Sequence, residues 1–342
     1  MKLIRTKDAV GHVLCHDITR IVKDVTKDAV FRKGHIVTTE DIPMLLSMGK
    51  ENLYVWENNE NMLHENDAAK ILYDICDGGN MHPSEIKEGK IELIASTEGV
   101  LRINRSLLNS INALGEMMIA SRHANRPIKA GDKIAGTRVI PLVIEKYKMD
   151  KAKELAGTDK IFSISPYILE SAGIVTTGNE VYKGRIEDTF TPVIIEKLGE
   201  YGIDVKSHAV CPDSPEVITK EIVSMIESGV DLVVCTGGMS VDPDDKTPLA
   251  IRNSGAEIIS YGAPVLPGAM FLLAYTYRGD KIIPVLGLPG CVMYAKRTIF
   301  DLVLPRIAAG EKLTKEDMSI YGEGGLCLNC DTCVYPNCGF GV

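Results

Sequence analysis

From Ser171 onward the chain alternates short apolar segments with amphipathic segments of helical period, and this alternation constrains the fold more than any other feature. The apolar segments at 172–177, 203–210 and 231–236 have the length of strands that are buried on both faces. Parallel strands need a helical crossover between them, and helix-forming segments separate these three. The sequence therefore predicts an α/β fold, with a doubly wound, mostly parallel sheet in the C-terminal domain and a mixed α+β N-terminal region.

The same periodicities predict the remaining elements and a division into domains. Further strands are expected near 91–95, 100–103, 139–144, 256–261 and 282–286, and helices over 39–48, 66–76, 106–119, 188–201, from Ser214 onward and over 292–307. We predict an N-terminal α+β segment over 1–60, a mixed α/β region over 61–150, an α/β ligand-binding domain over 165–310 and a cysteine-rich tail over 320–342.

Composition excludes several classes of function. The net charge of −8 gives no electrostatic footprint for nucleic acid. No apolar run is long enough to span a membrane, and the N-terminus becomes polar too soon for a signal peptide. We therefore expect a cytoplasmic protein, a homo-oligomer, whose partners are small molecules. Five of the nine cysteines are scattered and are expected to be reduced.

The stretch from Asp231 to Pro248 is the most informative part of the alternation. Its apolar strand is followed directly by Gly237 and Gly238, then by an acidic loop, and Thr247 is expected to cap the next helix. Glycines at the carboxyl end of a buried strand let the backbone approach a ligand, and open α/β sheets bind ligands at that end. The alternative is a tight turn with a solvated acidic loop.

Five motifs, in this order, resemble the molybdopterin-binding domain of molybdenum-cofactor biosynthesis proteins (the MoaB/Mog and MoeA-like family). The resemblance covers about 170–310. The motifs are Thr177-Gly-Asn-Glu, Gly184-Arg-Ile-Glu-Asp-Thr, Thr236-Gly-Gly-Met-Ser, Asp245-Lys-Thr-Pro and Gly287-Leu-Pro-Gly.

The resemblance implies a ligand, cofactors and a set of site residues. The Thr-Gly-Gly loop would cradle the phosphate end of molybdopterin, and Asp188 and Asp245 fall where the adenylyl-transferring branch carries its essential acids, which act with ATP and Mg²⁺. Asp188 has the alternative role of a helix N-cap. The implied cofactor-binding residues are Thr177, Gly178, Glu180, Thr236, Gly237, Gly238, Ser240, Asp242, Thr247, Gly287, Pro289 and Gly290.

The resemblance leaves the reaction open. The molybdate-inserting branch has a Met-Asp-Gly-Tyr-Ala motif that residues 1–60 lack, and the last turn continues as Gly290-Cys291-Val292 where the family often has Gly-Asn-Pro. Nucleotide-dependent adenylyl transfer to molybdopterin is therefore the preferred chemistry. The alternatives are a nucleotide pyrophosphatase like the competence-damage-inducible family and a non-catalytic molybdopterin carrier or sensor.

The last sixteen residues contain four cysteines, Cys327, Cys330, Cys333 and Cys338. Four thiolates suffice for a tetrahedral Zn²⁺ site, and the spacing also approaches that of a ferredoxin iron–sulfur cluster. The tail has few large apolar residues, so we expect a metal centre to order it.

Overall fold

The computed structural model of the protein describes residues 2–22, 26–55, 60–240 and 245–342, without the side chains of 20–22 and 26–29. The chain divides into two compact units. The first comprises Met1–Ser96, Ile103–Arg122 and Ala130–Ser163, and the second comprises Thr97–Arg102, His123–Lys129 and Ile164–Val342. The four domain boundaries predicted from the sequence stay a prediction.

The first half of the chain is built mainly from short antiparallel strands. In chain order its elements are β1 (Lys2–Arg5), β2 (Ile18–Val22), β3 (Thr26–Phe31), α1 (Asp41–Ser47), β4 (Asn52–Val55), β5 (Met62–His64), α2 (Glu65–Cys76), β6 (Met81–Pro83), β7 (Lys90–Ala95), β8 (Gly99–Ile103), α3 (Arg105–Asn112), β9 (Met117–Ser121), β10 (Pro127–Ile128), β11 (Lys133–Val139), β12 (Val143–Glu145), α4 (Lys146–Ala156) and β13 (Phe162–Ser165). The strands β6, β7, β11 and β9 form a four-stranded sheet in that order. The predicted mixture of helices and strands in this region is confirmed.

The helix predicted over 106–119 is too long. It ends at Asn112, and its last residues become β9 instead. Gly115 and Glu116 have φ angles of 73° and 60°, outside the helical region, so the chain turns there and reverses. The apolar residues Met117 and Ile119 are buried on one face of β9 rather than on a helix face.

The second half of the chain forms one six-stranded sheet with its helices. The elements are β14 (Ser171–Thr177), α5 (Asn179–Tyr182), α6 (Phe190–Gly199), β15 (Asp204–Cys211), α7 (Pro215–Ser228), β16 (Leu232–Thr236), α8 (Thr247–Asn253), β17 (Glu257–Tyr261), β18 (Leu272–Arg278), β19 (Lys281–Leu288), α9 (Ile299–Ala308) and α10 (Lys315–Ser319). The strand order is β15-β14-β16-β19-β18-β17. The first four strands are parallel, whereas β18 and β17 are antiparallel to their neighbours. The prediction of a mostly parallel sheet is confirmed, and β18 is a strand that the sequence reading missed.

Helices cover both faces of this sheet, as the doubly wound prediction requires. One face packs against α6 and α9 through residues such as Ile194, Leu198 and Phe300. The other face packs against α7 and α8 through residues such as Ile222 and Ile251. The strands β14 and β16 are buried on both faces, and nearly every side chain in them is apolar or a threonine.

The path of the chain reverses direction between β14 and β16. From β14 the chain crosses to β15 on one side, then returns to β16 on the other side of β14. The helices that follow β14 and β16 therefore lie on opposite faces of the sheet, and a crevice opens between their connecting loops. This is the topological switch point, where open α/β sheets bind their ligands.

The helix predicted over 292–307 begins later than expected. Gly290–Met293 forms a 3₁₀ turn, and α9 begins at Ile299. Thr298 and Asp301 form a capping box at the start of α9. Because the backbone of Thr298 has a β conformation, the helix does not continue back toward residue 292.

The cysteine-rich tail packs against its own unit. Phe340 is buried in the core beside α9, and Tyr335 donates a hydrogen bond of 2.7 Å to the Asp301 carbonyl. The Tyr335 ring lies between two guanidinium groups, 5.4 Å from Arg126 and 5.0 Å from Arg297. The tail therefore has more anchoring contacts than its composition suggests.

The helices of the described residues are short. The longest named above, α7, has 14 residues, whereas a membrane span needs about 20. Among the residues that the structure describes, no helix is both long and apolar enough to cross a bilayer.

Candidate functional site

The Thr-Gly-Gly loop begins at the switch point, directly after β16. Gly237 and Gly238 have φ angles of 80° and 54°, which favour glycine. A Cβ atom on Gly237 would collide with the carbonyl oxygen of Thr177, at the end of the neighbouring strand β14. The glycine is therefore required by the close approach of two strand ends.

Threonine hydroxyl groups tie this loop to its neighbours. The Thr247 hydroxyl donates to the Gly237 carbonyl at 2.8 Å and lies 3.1 Å from the Thr177 hydroxyl. The expectation that Thr247 caps α8 is wrong. Lys246 holds the N-cap position, and Thr247 is the first helical residue, because its hydroxyl is engaged across the loop.

The start of the loop contains a buried polar atom with no partner. The Thr236 hydroxyl is fully buried and makes no hydrogen bond among the described residues. Further along, the Tyr261 hydroxyl donates to the Met239 carbonyl at 3.0 Å and lies 3.4 Å from that of Ser240. Asp242, predicted to bind the cofactor, lies outside the described residues.

Asp188 is at the centre of a second polar cluster. Its carboxylate accepts hydrogen bonds from the backbone N–H groups of Phe190 and Thr191, both at 3.0 Å, and from the Thr191 hydroxyl at 2.6 Å. His208 Nε2 lies 3.5 Å from the same carboxylate and 3.1 Å from the hydroxyl groups of Thr176 and Thr191. Asp188 thus accepts from the first two N–H groups of α6, but it lies one residue before the N-cap, which is Thr189.

These contacts also keep Asp188 ionised. Burial alone would raise the pKa of the carboxyl group, but the hydrogen bonds from Thr191 and Phe190 outweigh it and hold the pKa below its usual value. Asp245 lies beside Tyr261, whose pKa is raised by burial and, to a lesser extent, by the charge of Asp245. The magnesium-binding role predicted for the two aspartates stays a prediction.

The two clusters lie on opposite faces of β14, because consecutive strand residues point to opposite sides. Thr176 faces α6 and contacts the Asp188 cluster, whereas Thr177 faces α8 and contacts Thr247. The crevice at the switch point therefore has a polar lining from both sides of the sheet.

The remaining predicted residues lie in neighbouring loops at the same edge. Gly178, with a φ of 141°, is the N-cap residue before the short helix α5, and the Asn179 N–H donates to the Asp213 carboxylate at 2.9 Å. Glu180 lies in α5 and is exposed. Gly287 packs against Met239, Pro289 precedes the 3₁₀ turn, and Gly290 leaves space for a methyl group.

Sequence reasoning missed three polar residues of the site: His208, Asp213 and Tyr261. Each lies in or directly after a strand predicted from its apolar residues. The available signal was position, since all three lie at or near the strand ends where the glycine loops are.

The four tail cysteines are free thiols. Cys327 and Cys338 pack partly against the core, whereas Cys330 and Cys333 are exposed. The described part of the chain contains no group of three or more His, Cys, Asp or Glu residues placed to hold a metal ion. The zinc or iron–sulfur centre thus stays a prediction.

The fold and loops described above define an α/β ligand-binding domain. Residues 173–309 match the family described as "Probable molybdopterin binding domain". Residues 3–57 match a second family, described as a domain of unknown function (DUF8806).

Curated relatives match a shorter stretch. A CinA-like protein of Mycobacterium tuberculosis is 39% identical over 89 residues, which are 26% of this chain and 21% of that protein. A CinA-like protein of Mycobacterium avium is 37% identical over 89 residues. The chain thus spans about a fifth of the length of the curated relatives it matches.

Three solved structures, of a MoaB, a Mog and a CinA protein, resemble part of the chain. The tungsten cofactor synthesizing protein MoaB from Pyrococcus furiosus is 22% identical, with a TM-score of 0.35, and the match covers 42% of this chain and 94% of that one. The molybdopterin biosynthesis Mog protein from Mycobacterium ulcerans is 20% identical, with a TM-score of 0.34, covering 41% and 96%. The protein CinA from Thermoplasma acidophilum is 20% identical, with a TM-score of 0.32, covering 41% and 98%.

Proposed function

We propose that the protein binds molybdopterin in the crevice between the carboxyl ends of β14 and β16. The observation that carries this proposal is the Thr-Gly-Gly loop at the switch point of a domain that matches the molybdopterin-binding family. The residues fit such a ligand, because two glycines in left-handed conformation bring the backbone close to the crevice and the buried Thr236 hydroxyl has no described partner.

Adenylyl transfer to molybdopterin is the chemistry that we propose for the bound ligand. ATP would supply the adenylyl group with pyrophosphate as the leaving group, and Mg²⁺ would neutralise the charge of the phosphates. Asp188 and Asp245 are the acids proposed to hold Mg²⁺, and the hydrogen bonds that keep Asp188 ionised support that role. Since Asp188 also accepts from the first two N–H groups of α6, its substitution is expected to alter both the structure and the reaction.

Binding is tested by mass spectrometry of the small molecules released from purified protein. We expect a phosphorylated pterin with the wild type and at least about tenfold less with Thr247→Val, because the loop loses its tie to Gly237. Thr219→Val is the matched control. It removes a hydrogen bond from a hydroxyl to the Ala250 carbonyl, on the same face but away from the loop. Equal pterin content in all three proteins would contradict the proposal.

The reaction is tested with added molybdopterin, ATP and Mg²⁺. Pyrophosphate release that depends on molybdopterin supports adenylyl transfer. Hydrolysis of a nucleotide-type pyrophosphate to a nucleoside monophosphate without molybdopterin indicates the pyrophosphatase alternative, and binding without either reaction indicates a carrier. Asp245→Asn should slow turnover more than it weakens binding, because coordinated Mg²⁺ stabilises charge that develops in the transition state.

A further inference from the structure

The first unit contains a polar cleft, distant in sequence from the molybdopterin-binding domain. The cavity has a volume of about 370 Å³, and all its lining residues belong to the first unit. Its walls include His16 and Tyr54 from the N-terminal segment, Glu65 at the start of α2, Lys33, and Arg138 near the end of β11.

Glu65 is the unusual residue in this cleft. Glu65 is only 9% exposed. Among the described residues, its carboxylate has no hydrogen-bond donor and no salt-bridge partner. Burial raises the pKa of the carboxyl group, while the charge of Arg138 lowers it. A carboxylate that is largely buried and has no protein donor is only partly hydrated, and a ligand that brings N–H donors into the cleft would stabilise it.

The surroundings of Glu65 hold it in place. The Glu65 N–H donates to the Leu142 carbonyl at 2.9 Å, and the Gly89 N–H donates to the Asn66 side chain at 3.0 Å. Gly89 packs directly on the Glu65 side chain, so that a Cβ there would lie 2.9 Å from Glu65 Cβ. The carboxylate is therefore fixed against the hairpin between β6 and β7.

The other lining groups indicate what kind of molecule fits. Lys33, Lys87 and Arg138 bring positive charge, which suits a phosphate, while Asp17 and Glu88 also line the cleft and Glu88 lies 3.8 Å from Arg138. The Tyr54 ring is partly exposed and lies edge-on to His16, with ring centroids 6.5 Å apart, and can stack on a planar heterocycle. His16 Nδ1 is buried and has no hydrogen-bond partner among the described residues.

We propose that this cleft binds a phosphorylated heterocycle with a 2-amino-4-oxopyrimidine edge, as in guanine or pterin, with Glu65 accepting its two adjacent N–H donors. A carboxylate matches this donor pair in two parallel hydrogen bonds. Adenine lacks the pair, and a free amino acid would leave most of the cavity unfilled. The inference does not rest on the function proposed above, because no lining residue lies within 173–309.

The test is calorimetric titration of the full-length Thr247→Val protein, in which the loop of the other site is loosened. The probes are GMP, neopterin monophosphate and AMP. We expect at least one of the first two to bind, with AMP at least about tenfold weaker than that probe. GMP binding alone indicates a guanine source for the ligand, and binding of neopterin monophosphate alone indicates a pterin source.

Variants locate the binding. Adding Glu65→Gln should weaken binding at least about tenfold, because an amide cannot accept both N–H groups. Asp67→Asn is the matched control, since this carboxylate lies in the same helix, is 60% exposed and pairs with Lys70. The ligand-free Glu65→Gln protein should melt at or above the temperature of its parent, because it loses a buried unpaired carboxylate.

Several results would overturn the inference. These are no binding of GMP or neopterin monophosphate at millimolar concentration, equal binding of AMP, unchanged binding by Glu65→Gln, or a lower melting temperature of ligand-free Glu65→Gln. The last result would show that Glu65 supports the fold. Loss of pterin from Thr247→Val alone would instead bear on the molybdopterin site.

Discussion

Threonine hydroxyl groups organise the candidate site at the scale of single residues. Thr177 and Thr247 connect the strand ends on one face of the sheet, and Thr176 and Thr191 connect Asp188 to His208 on the other. Each hydroxyl both donates and accepts, so a threonine can join two neighbours that a valine of the same shape cannot.

The first prediction concerns Thr247, which is fully buried. Thr247→Val should lower the free energy of unfolding by about 1 kcal/mol, because one hydrogen bond to a carbonyl is lost. Thr219→Val should cost a similar amount, since its hydroxyl also donates to a carbonyl. Urea unfolding compares the two. A loss with Thr219→Val but none with Thr247→Val would show that the Gly237 contact is not stabilising.

The second prediction concerns the dependence of stability on pH. The folded pKa of Asp188 is depressed, so its stabilisation is present above the unfolded pKa, about 3.9, and is lost as the pH falls through the folded value. Asp188→Asn should therefore be less stable than the wild type at about pH 6, and the difference should narrow as the pH falls below the unfolded pKa and through the folded one.

Urea unfolding at several pH values measures this difference. Asp204→Asn is the control, because the Asp204 carboxylate is 77% exposed and pairs with Lys206 at the surface. A difference between wild type and Asp188→Asn that stays constant with pH would contradict the assigned hydrogen bonds, since it would not follow ionisation of the carboxyl group.

At the scale of elements, the connection from β16 to α8 depends on backbone conformation. Gly237 and Gly238 turn the chain in a left-handed conformation, and Gly238 leaves room for the Thr247 hydroxyl, which would lie 2.9 Å from an added Cβ. The same glycines that shape the crevice therefore also let two strand ends meet.

The third prediction compares two glycines of the site. Gly237→Ala should lower the free energy of unfolding by at least about 2 kcal/mol, because its φ is positive and its Cβ would meet the Thr177 carbonyl. Gly290→Ala should change it by less than about 0.5 kcal/mol, since the nearest atom, in Phe190, would be 3.9 Å away. Equal effects in urea unfolding would contradict the geometry of the loop.

At the scale of the whole molecule, the tail is part of the core of the second unit. Arg126 Nη2 donates to the carbonyls of Cys338 and Phe340, and its guanidinium lies over the Tyr335 ring. Lys296 donates to the carbonyls of Cys330 and Asp331. These contacts hold the tail through its backbone and one aromatic ring, whatever its cysteines bind.

The fourth prediction is that the tail stays ordered without metal. A chelator should leave residues 323–342 as resistant to proteolysis as before, because the Tyr335 and Phe340 contacts remain. Tyr335→Ala should destabilise the protein by about 2–3 kcal/mol and expose the tail to protease. Val334→Ala, at an exposed neighbour, should change stability by less than about 0.5 kcal/mol. If the chelator alone made the tail sensitive to protease, the result would contradict this prediction and support the metal-ordered tail expected from the sequence.

The central strands and their connecting loops could be predicted because their signals are local. The apolar run 232–235 is long enough only for a buried strand, and the paired glycines after it mark a tight connection. The motif order then placed the site at one edge of the sheet, and the structure puts Thr177, Thr236 and Gly237 there together. Strand β18 was missed although turn signals flank Leu272–Arg278, with Pro267-Gly268 before it and the hairpin pair Gly279-Asp280 directly after it.

The sequence by itself determined the class of fold and the identity of the site loops, because periodicity and glycine position act over a few residues. Only the tertiary structure decided the roles of individual side chains. It placed Thr247 across the loop instead of at a helix cap, made Asp188 an acceptor for α6 and His208, and left Glu65 buried without a donor. Such roles depend on contacts between residues that are far apart in the chain and come together only when the elements pack. Local sequence patterns do not encode these long-range contacts.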